Sequence, residues 1–301
     1  MTDDPLALAI DIGGTKIALG LVTADGDLVA SERFATPRGP ASAAARTVLE
    51  RARTFAADAG PVAAGIVLPA VVRDGVIAWA AESIDGWQGL PLRALAEEML
   101  HIPAVGEFDG YAATLGEAWR GHARGYPDAV IVIVGTGVGA GIMHEGRLYR
   151  GRTAIAGGIG WIRFPTRDGL GPKLEEVAAG PGILAAARAR RPETAYPDTE
   201  AVFACAADGD DAAASVIEHA MRVLAAGVGA VVATLAPDIV VLGGSVGARP
   251  DVVSAVRRLL PDVTQPFAAA GTRVEGSALG PLSSLYGAAR LAYLFVQGKE
   301  P

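Results

Sequence analysis

Short apolar runs punctuated by glycine set the rhythm of this chain. Leu8-Ala9-Ile10-Asp11-Ile12 runs into Gly13-Gly14-Thr15-Lys16, and the apolar pattern resumes over Ile17-Ala18-Leu19-Gly20-Leu21-Val22. Two strands joined by a Gly-Gly turn predict a hairpin, with glycine supplying the positive φ that tight turns need. Asp25-Gly26-Asp27 predicts a turn into a third strand, Leu28 to Phe34, which Thr36-Pro37-Arg38-Gly39-Pro40 breaks. Across residues 41–58, Val48, Leu49, Ala52 and Phe55 recur at helical spacing, and Gly60-Pro61 is the stop. Ala63 to Leu68 predicts a buried strand ending at Pro69. A loop over residues 84–92 places Pro91 at a helix start, and that helix runs to about Leu100. Ile102 to Val105 predicts a short strand that delivers Glu107-Phe108-Asp109-Gly110-Tyr111, with a helix from Tyr111 through Trp119.

Residues 120–128, with Arg120, Gly121, Gly125, Pro127 and Asp128, predict a crossing into a second domain. Beyond it the opening pattern returns. Ala129 to Val134 predicts a strand, Gly135-Thr136-Gly137-Val138-Gly139 a glycine turn and Ala140 to Met143 the return strand. A turn at Glu145-Gly146 and a strand from Arg147 to Tyr149 follow. Strand, glycine turn, strand, turn, strand thus occurs around residue 11 and again around residue 135, the mark of an internal repeat. A long helix is expected from about Asp210 to Leu235, stopped by Pro237. After it come a buried strand Ile239 to Leu242, the turn Gly243-Gly244-Ser245-Val246-Gly247, a strand around Thr272 to Gly276, and a helix from about Ser283 to Phe295. The whole reads as an α/β protein with mixed sheets.

Composition narrows the class. The 301 residues suffice for two domains and a sizeable core. Hydrophobic residues make up 51% and mean hydropathy is +0.34, so the chain is globular. A net charge of -7 argues against nucleic acid as a partner, since that needs a basic face. Cys205 is the single cysteine, which excludes an intramolecular disulfide and any multi-cysteine metal site. Following Val202-Phe203-Ala204, it is expected to be buried. The acidic start Met1-Thr2-Asp3-Asp4-Pro5 runs straight into a strand, unlike a signal peptide. The nearest approach to a membrane span, Met221 to Pro237, is too short and too rich in small residues. A cytoplasmic protein with no membrane partner is the expectation. His101, His122, His144 and His219 are scattered and suit surface or capping positions. The basic run Ala187 to Pro192 suits a helix end.

Candidate chemistry gathers at the glycine turns. Backbone N–H groups bare of Cβ, beside Thr15 and Lys16, make an anion nest suited to a phosphate. Asp11 would sit where a magnesium ion or its water shell bridges carboxylate and phosphate. An ordinary hairpin with a polar tip is the alternative. Two facing nests would grip one polyphosphate from opposite sides. Asp109, between a strand's carboxyl end and a helix N-terminus, lies where open α/β sheets place ligands, and it also suits a plain N-cap. Gly243-Gly244 offers either a backbone platform for a purine ring or a simple βα turn.

Asp11-Ile12-Gly13-Gly14-Thr15-Lys16, Gly135-Thr136-Gly137-Val138-Gly139-Ala140-Gly141 and Leu242-Gly243-Gly244-Ser245-Val246, in this order and spacing, resemble the ROK sugar kinases of the actin-like ATPase superfamily. Gly86-Trp87, Leu115-Gly116-Glu117 and Leu285-Tyr286-Gly287-Ala288-Ala289 extend the resemblance over the full length. It implies a two-lobed actin-like, ribonuclease H-like fold with a duplicated mixed sheet flanked by helices. One lobe would comprise residues 1–120 with 284–301 and hold the first phosphate loop and the catalytic acid; the other, 121–283, would hold the second loop and the adenosine site. With the first phosphate loop near residue 11, the helix-turn-helix domain of the family's repressors is not expected here. The implied activity is transfer of the γ-phosphoryl group of ATP to a sugar hydroxyl, usually the 6-hydroxyl of a hexose, with Mg²⁺. Asp109 matches the family's base. Gly13 to Lys16 and Gly135, Thr136 and Gly137 would cradle the β- and γ-phosphates, Asp11 would hold magnesium through water, and Gly243 and Gly244 would line the adenosine site. Closure of the lobes on the sugar would exclude water. A homodimer is implied as well.

The departures from the family pattern concentrate in the sugar pocket. Phe108 and Tyr111 replace the asparagines that flank the base. Gly157-Gly158-Ile159-Gly160-Trp161 replaces Gly-Glu-Ile-Gly-His, losing a sugar-binding Glu and the His that binds sugar and structural zinc. The cysteines expected over Thr166 to Lys173 are absent, so no tetrahedral zinc site is expected. Val67-Leu68-Pro69-Ala70 replaces the usual Gly-x-Pro-Gly turn near the sugar. Glu175 aligns with the second sugar carboxylate, with Glu176 as the one-residue alternative. A pocket stripped of polar partners rejects plain glucose by leaving hydroxyls unpaired. Phe108, Tyr111 and Trp161 either line it or are core packing. With Pro69, Phe108, Asp109, Trp161 and Glu175 about the substrate, and Glu107 and Glu176 adding acidity, the expected substrate is a modified or amino sugar. Kanosamine of ansamycin-type antibiotic biosynthesis is the family precedent. A catalytically silent sugar-binding or regulatory protein, and a kinase of a non-sugar alcohol, are the alternatives.

Overall fold

The computed structural model describes residues 4–194 and 196–300. Met1-Thr2-Asp3 of the acidic start and Pro301 of the first expected lobe lie outside the described residues. The chain opens with β1 (Leu6–Ile12), β2 (Lys16–Thr23), β3 (Leu28–Ala35), α1 (Ala41–Phe55) and β4 (Ala63–Leu68). Next come β5 (Ala70–Arg73), β6 (Val76–Ala80), α2 (Leu92–Leu100), β7 (Ala104–Phe108) and α3 (Asp109–Arg120). The middle of the chain forms β8 (Ala129–Val134), β9 (Val138–His144), β10 (Arg147–Leu148), β11 (Arg163–Thr166), β12 (Gly169–Lys173), α4 (Leu174–Ala178) and α5 (Gly180–Arg190). It closes with α6 (Thr199–Ala207), α7 (Asp211–Leu235), β13 (Ile239–Gly243), α8 (Gly244–Gly247), α9 (Pro250–Val263), α10 (Pro266–Gly271), β14 (Arg273–Gly276) and α11 (Ser283–Val296).

Two five-stranded sheets have the orders β3-β2-β1-β4-β7 and β10-β9-β8-β13-β14. These are one topology built twice, a hairpin-linked trio followed by two crossover strands, as the internal repeat implies. The first unit takes in the chain up to Gly125, Met143–Ile155 and the chain from Pro281; the second takes in Tyr126–Ile142 and Ala156–Gly280.

In the first unit β1 pairs parallel with β4, and β4 with β7. Every residue of β4 is buried, because helices cover both faces of the parallel strands. Leu8, Ile10, Val48, Leu49, Ile66 and Leu95 belong to one apolar core. On the sheet's other side α11 packs against β4 and α3 through glycine. A Cβ on Gly65 would lie 1.9 Å from the Ala288 carbonyl oxygen, and one on Gly287 would lie 1.7 Å from that of Ala112. In the second unit α7 supplies Met221, Leu224, Val228 and Val232 to a separate core with β8 and β13. By length and hydropathy α7 would qualify as a membrane span, which corrects the sequence reading of that stretch, but its apolar face packs inside the unit.

Other differences have physical reasons. Helix α1 stops at Phe55, ahead of Gly60-Pro61. Strand β7 lies two residues later than its apolar run suggests, carrying Glu107 and Phe108 into the sheet, so α3 begins at Asp109. The hairpins β5–β6 and β11–β12 escaped the sequence reading because each is two short strands without clean alternation. Cys205 is only partly buried at the edge of the second core. Arg188 and Arg190 do occupy the last turn of α5.

Candidate active site

In the first unit β1, β4 and β7 all end at one edge of the sheet. Pairing sets Asp11 opposite Val67, and Val67 opposite Glu107. That edge therefore carries Asp11 and the Gly13-Gly14 loop, then Pro69, then Phe108 and Asp109, the place where parallel sheets hold ligands.

The first loop is held by its own backbone and by Thr36. Gly13 N–H donates to the Lys16 carbonyl at 3.0 Å, the Thr36 hydroxyl to the Gly13 carbonyl at 2.7 Å, and Thr36 N–H to the Thr15 carbonyl at 3.1 Å. Neither Gly13 nor Gly14 has a positive φ, contrary to the turn chemistry expected of them. Glycine is needed instead for close approach. A Cβ on Gly14 would lie 2.6 Å from Ser83 Cβ, and one on Gly13 would lie 2.9 Å from the Lys16 carbonyl oxygen. Gly14, Thr15 and Lys16 are exposed, so the loop presents backbone and a cation to solvent.

Asp109 is the first residue of α3; Phe108 occupies the cap position without a side-chain bond, so the N-cap alternative does not hold. One carboxylate oxygen of Asp109 accepts the Gly110 N–H at 2.7 Å. Asp109 keeps an opening to solvent but is walled by protein elsewhere. Loss of water raises its pKa from 3.8 to about 6, while the Gly110 bond pulls the other way. Asp11 is raised further, to about 7, first by burial and then by the negative charge of Asp109, with Arg33 across the sheet opposing. Perturbed acids at a ligand edge are what a proton-transfer site needs. Tyr111 is fully buried, edge-on to Phe108 at 5.4 Å, and its hydroxyl donates to the Arg150 carbonyl, so it is core rather than pocket lining.

The second unit builds its own loop. Gly135 N–H donates to the Gly137 carbonyl at 3.0 Å, and the Gly135 carbonyl accepts the Gly180 N–H at the start of α5 at 2.9 Å. Thr136 and Gly137 are exposed. Parallel pairing of β8 with β13 sets Gly243 opposite Ile133, so Gly244 opens a βα turn beside the loop. Gly244 has φ +81°, and a Cβ there would lie 2.4 Å from the Val134 carbonyl oxygen. Glu175 faces the same loop, since a Cβ on Gly137 or Gly160 would lie 3.2 or 3.0 Å from its Oε2. Glu176 instead turns back to accept the Lys173 N–H at 2.8 Å, capping α4. Trp161 is 68% exposed, and Lys173 Nζ stands 3.4 Å over its ring and 3.9 Å from Glu175. The missing Glu and His of the sugar-binding pattern are thus Gly158, which caps a single 3₁₀ turn, and an open indole face. Lys173, Thr36 and Ser83 carry no sequence signal, because their roles depend on pairings far along the chain. A cavity of about 380 Å³ among α6, α7 and α9 contains none of these residues.

The class defined by this fold is an α/β protein with a duplicated mixed sheet. Residues 7–294 match the profile of the ROK family, and the chain belongs to that family. It is 34% identical over 250 residues to an N-acetylmannosamine kinase of Escherichia fergusonii, covering 80% of this chain and 83% of that one. Among solved structures it resembles a ROK hexokinase from Thermus thermophilus at 29% identity and TM-score 0.83, over 97% of this chain and 99% of that one. It also resembles a ROK family glucokinase from Streptomyces griseus in complex with glucose and AMPPNP, at 27% identity and TM-score 0.78, over 96% and 99%.

Proposed function

We propose that this ROK chain is an ATP-dependent sugar kinase that phosphorylates the 6-hydroxyl of an amino hexose. The observation that carries the reading is Asp109, a carboxyl held at the ligand edge of the sheet by the Gly110 N–H and titrating near 6. At neutral pH it is ionised yet basic enough to accept a proton, the condition for a general base. The sugar hydroxyl oxygen attacks the γ-phosphorus of ATP and passes its proton to Asp109. The bond from that phosphorus to the β,γ-bridging oxygen breaks, and ADP leaves with the electron pair. The backbone N–H groups of Gly13 to Lys16, with the Lys16 ammonium, would offset the charge of the phosphates.

Among the described residues no three His, Cys, Asp or Glu side chains gather as a metal cage. Magnesium entering on ATP with most of its water fits this, because Asp11 and Asp109 repel one another and a divalent cation relieves that repulsion. Asp11 would hold the ion through water; bound, magnesium neutralises charge on the phosphates.

Substrate choice follows from the charges. Glu107 is engaged by Arg150, Glu176 by its helix cap, and Glu175 stands beside Lys173. The acidity expected for an ammonium-bearing sugar such as kanosamine is therefore largely spent, which favours an N-acylated amino sugar. The resemblance to N-acetylmannosamine kinases supports the same choice. Product analysis tests the proposal. Incubation with ATP, Mg²⁺ and N-acetylmannosamine, followed by ³¹P–¹H correlation, should place the phosphate on carbon 6. Phosphate on another carbon, or release of inorganic phosphate alone, refutes it.

A further inference from the structure

Glu107 is 8% exposed, lies two residues before Asp109 and points into a fully occupied set of bonds. Its Oε1 accepts the Phe108 N–H at 2.9 Å, the peptide just ahead of the acid. Its Oε2 accepts both Nε and Nη2 of Arg150, at 2.9 and 2.7 Å. Arg150 follows β10 within Met143–Ile155, a segment of the first unit distant in sequence from Glu107. Its backbone carbonyl accepts the Tyr111 hydroxyl at 3.3 Å, on the first turn of α3. One residue from a distant part of the chain thus grips the residues two before and two after the acid.

We propose that Arg150 is a positioning residue for Asp109: by holding Glu107 through its guanidinium and Tyr111 through its carbonyl, it fixes the strand-to-helix joint that aims the carboxyl. The inference rests on Asp109 being the base, as read above. The physical grounds are the geometry of the fork and the cost of misplacement. Two guanidinium N–H groups converging on one carboxylate oxygen, with the other oxygen held by the Phe108 N–H, fix direction as well as distance, which a single ammonium contact does not. A displacement of about 1 Å at a reacting group is worth about 100-fold in rate. A purely structural ion pair would lower stability and leave turnover of the folded enzyme unchanged.

The test compares Arg150→Gln, Arg150→Lys, Glu107→Gln and the Glu107→Gln/Arg150→Gln double variant. The readouts are kcat and KM for the sugar and for ATP at a temperature where every variant is folded, and amide exchange over residues 107–112. We expect Arg150→Gln to lower kcat about 10- to 100-fold with KM for ATP within about twofold, and Arg150→Lys to recover part of the loss. The double variant should fall no further than the worse single one, because the pair acts as a unit. Exchange over residues 107–112 should quicken in Arg150→Gln. Unchanged kcat in Arg150→Gln, or additive losses in the double variant, overturns the proposal. If the wild type phosphorylates no alcohol while Arg150→Gln still quickens exchange, the kinase reading fails and the clamp stands.

Discussion

Replacing Asp109 by asparagine should cripple the enzyme and stabilise the fold, and both effects can be sized. The carboxyl titrates near 6 in the folded protein against 3.8 ordinarily, because burial disfavours its charge. Each pH unit between those values is worth about 1.4 kcal/mol, so at pH 8 the folded state carries a cost of about 1–3 kcal/mol after allowance for the opening to solvent. The sign follows from which state holds the proton. Below about 3.8 both states are protonated and the variant gains nothing. Between 3.8 and 6 the unfolded chain ionises first, so wild-type stability falls with rising pH. Above 6 the cost is fully present. Asparagine removes it while keeping an oxygen for the Gly110 N–H, and it also lifts the repulsion on Asp11. Thermal melts at pH 4 and pH 8 should show a gain of about 2–4 °C per kcal/mol at the higher pH and little at the lower. The same variant should lose about 10²- to 10⁴-fold in kcat, the usual worth of a positioned base. An equal melting-temperature difference at both pH values would refute the electrostatic argument, and near-normal kcat would refute the base.

The remaining predictions probe separate parts. In the wild type, kcat/KM should rise with pH through about 6 as Asp109 ionises; a flat profile from pH 5 to 8 would contradict the assignment. Thr36→Val removes the hydroxyl bond to the Gly13 carbonyl and keeps the shape, so KM for ATP should rise about fivefold, the worth of one hydrogen bond of about 1 kcal/mol. Gly287→Ala forces a Cβ against the Ala112 carbonyl and should destabilise the first unit by about 1–3 kcal/mol or more, read by denaturant unfolding. Trp161→Ala removes an exposed ring under Lys173 and should raise KM for the sugar while leaving the melting temperature within about 1–2 °C.

The apolar runs revealed the two sheets well, because each central strand is largely buried and reads as a mainly apolar run. The repeat around residues 11 and 135 predicted the duplicated topology for the same reason. The place of Asp109 between strand and helix was legible, while its role as a base came only from the family resemblance. The conformation of the first glycine loop was not legible. Gly13 and Gly14 are required by Ser83 and the Lys16 carbonyl, and the approach of Ser83 depends on a turn far along the chain. Tyr111 read equally as pocket lining or core packing, and the fold places it in the core. The partners of the acidic side chains were not legible either. Glu107 and Glu176 are acids in the sequence, but Arg150 and the cap of α4 engage them in space.

The most direct measurement is kcat/KM for ADP release with ATP and Mg²⁺ across N-acetylmannosamine, glucosamine, kanosamine and glucose. The account predicts turnover that is highest for N-acetylmannosamine, at least about tenfold lower for glucose, and lost in Asp109→Asn. Glucose as the preferred substrate would mean that Phe108, Gly158 and Trp161 do not restrict the pocket. Sugar turnover that survives in Asp109→Asn would contradict the account at its centre.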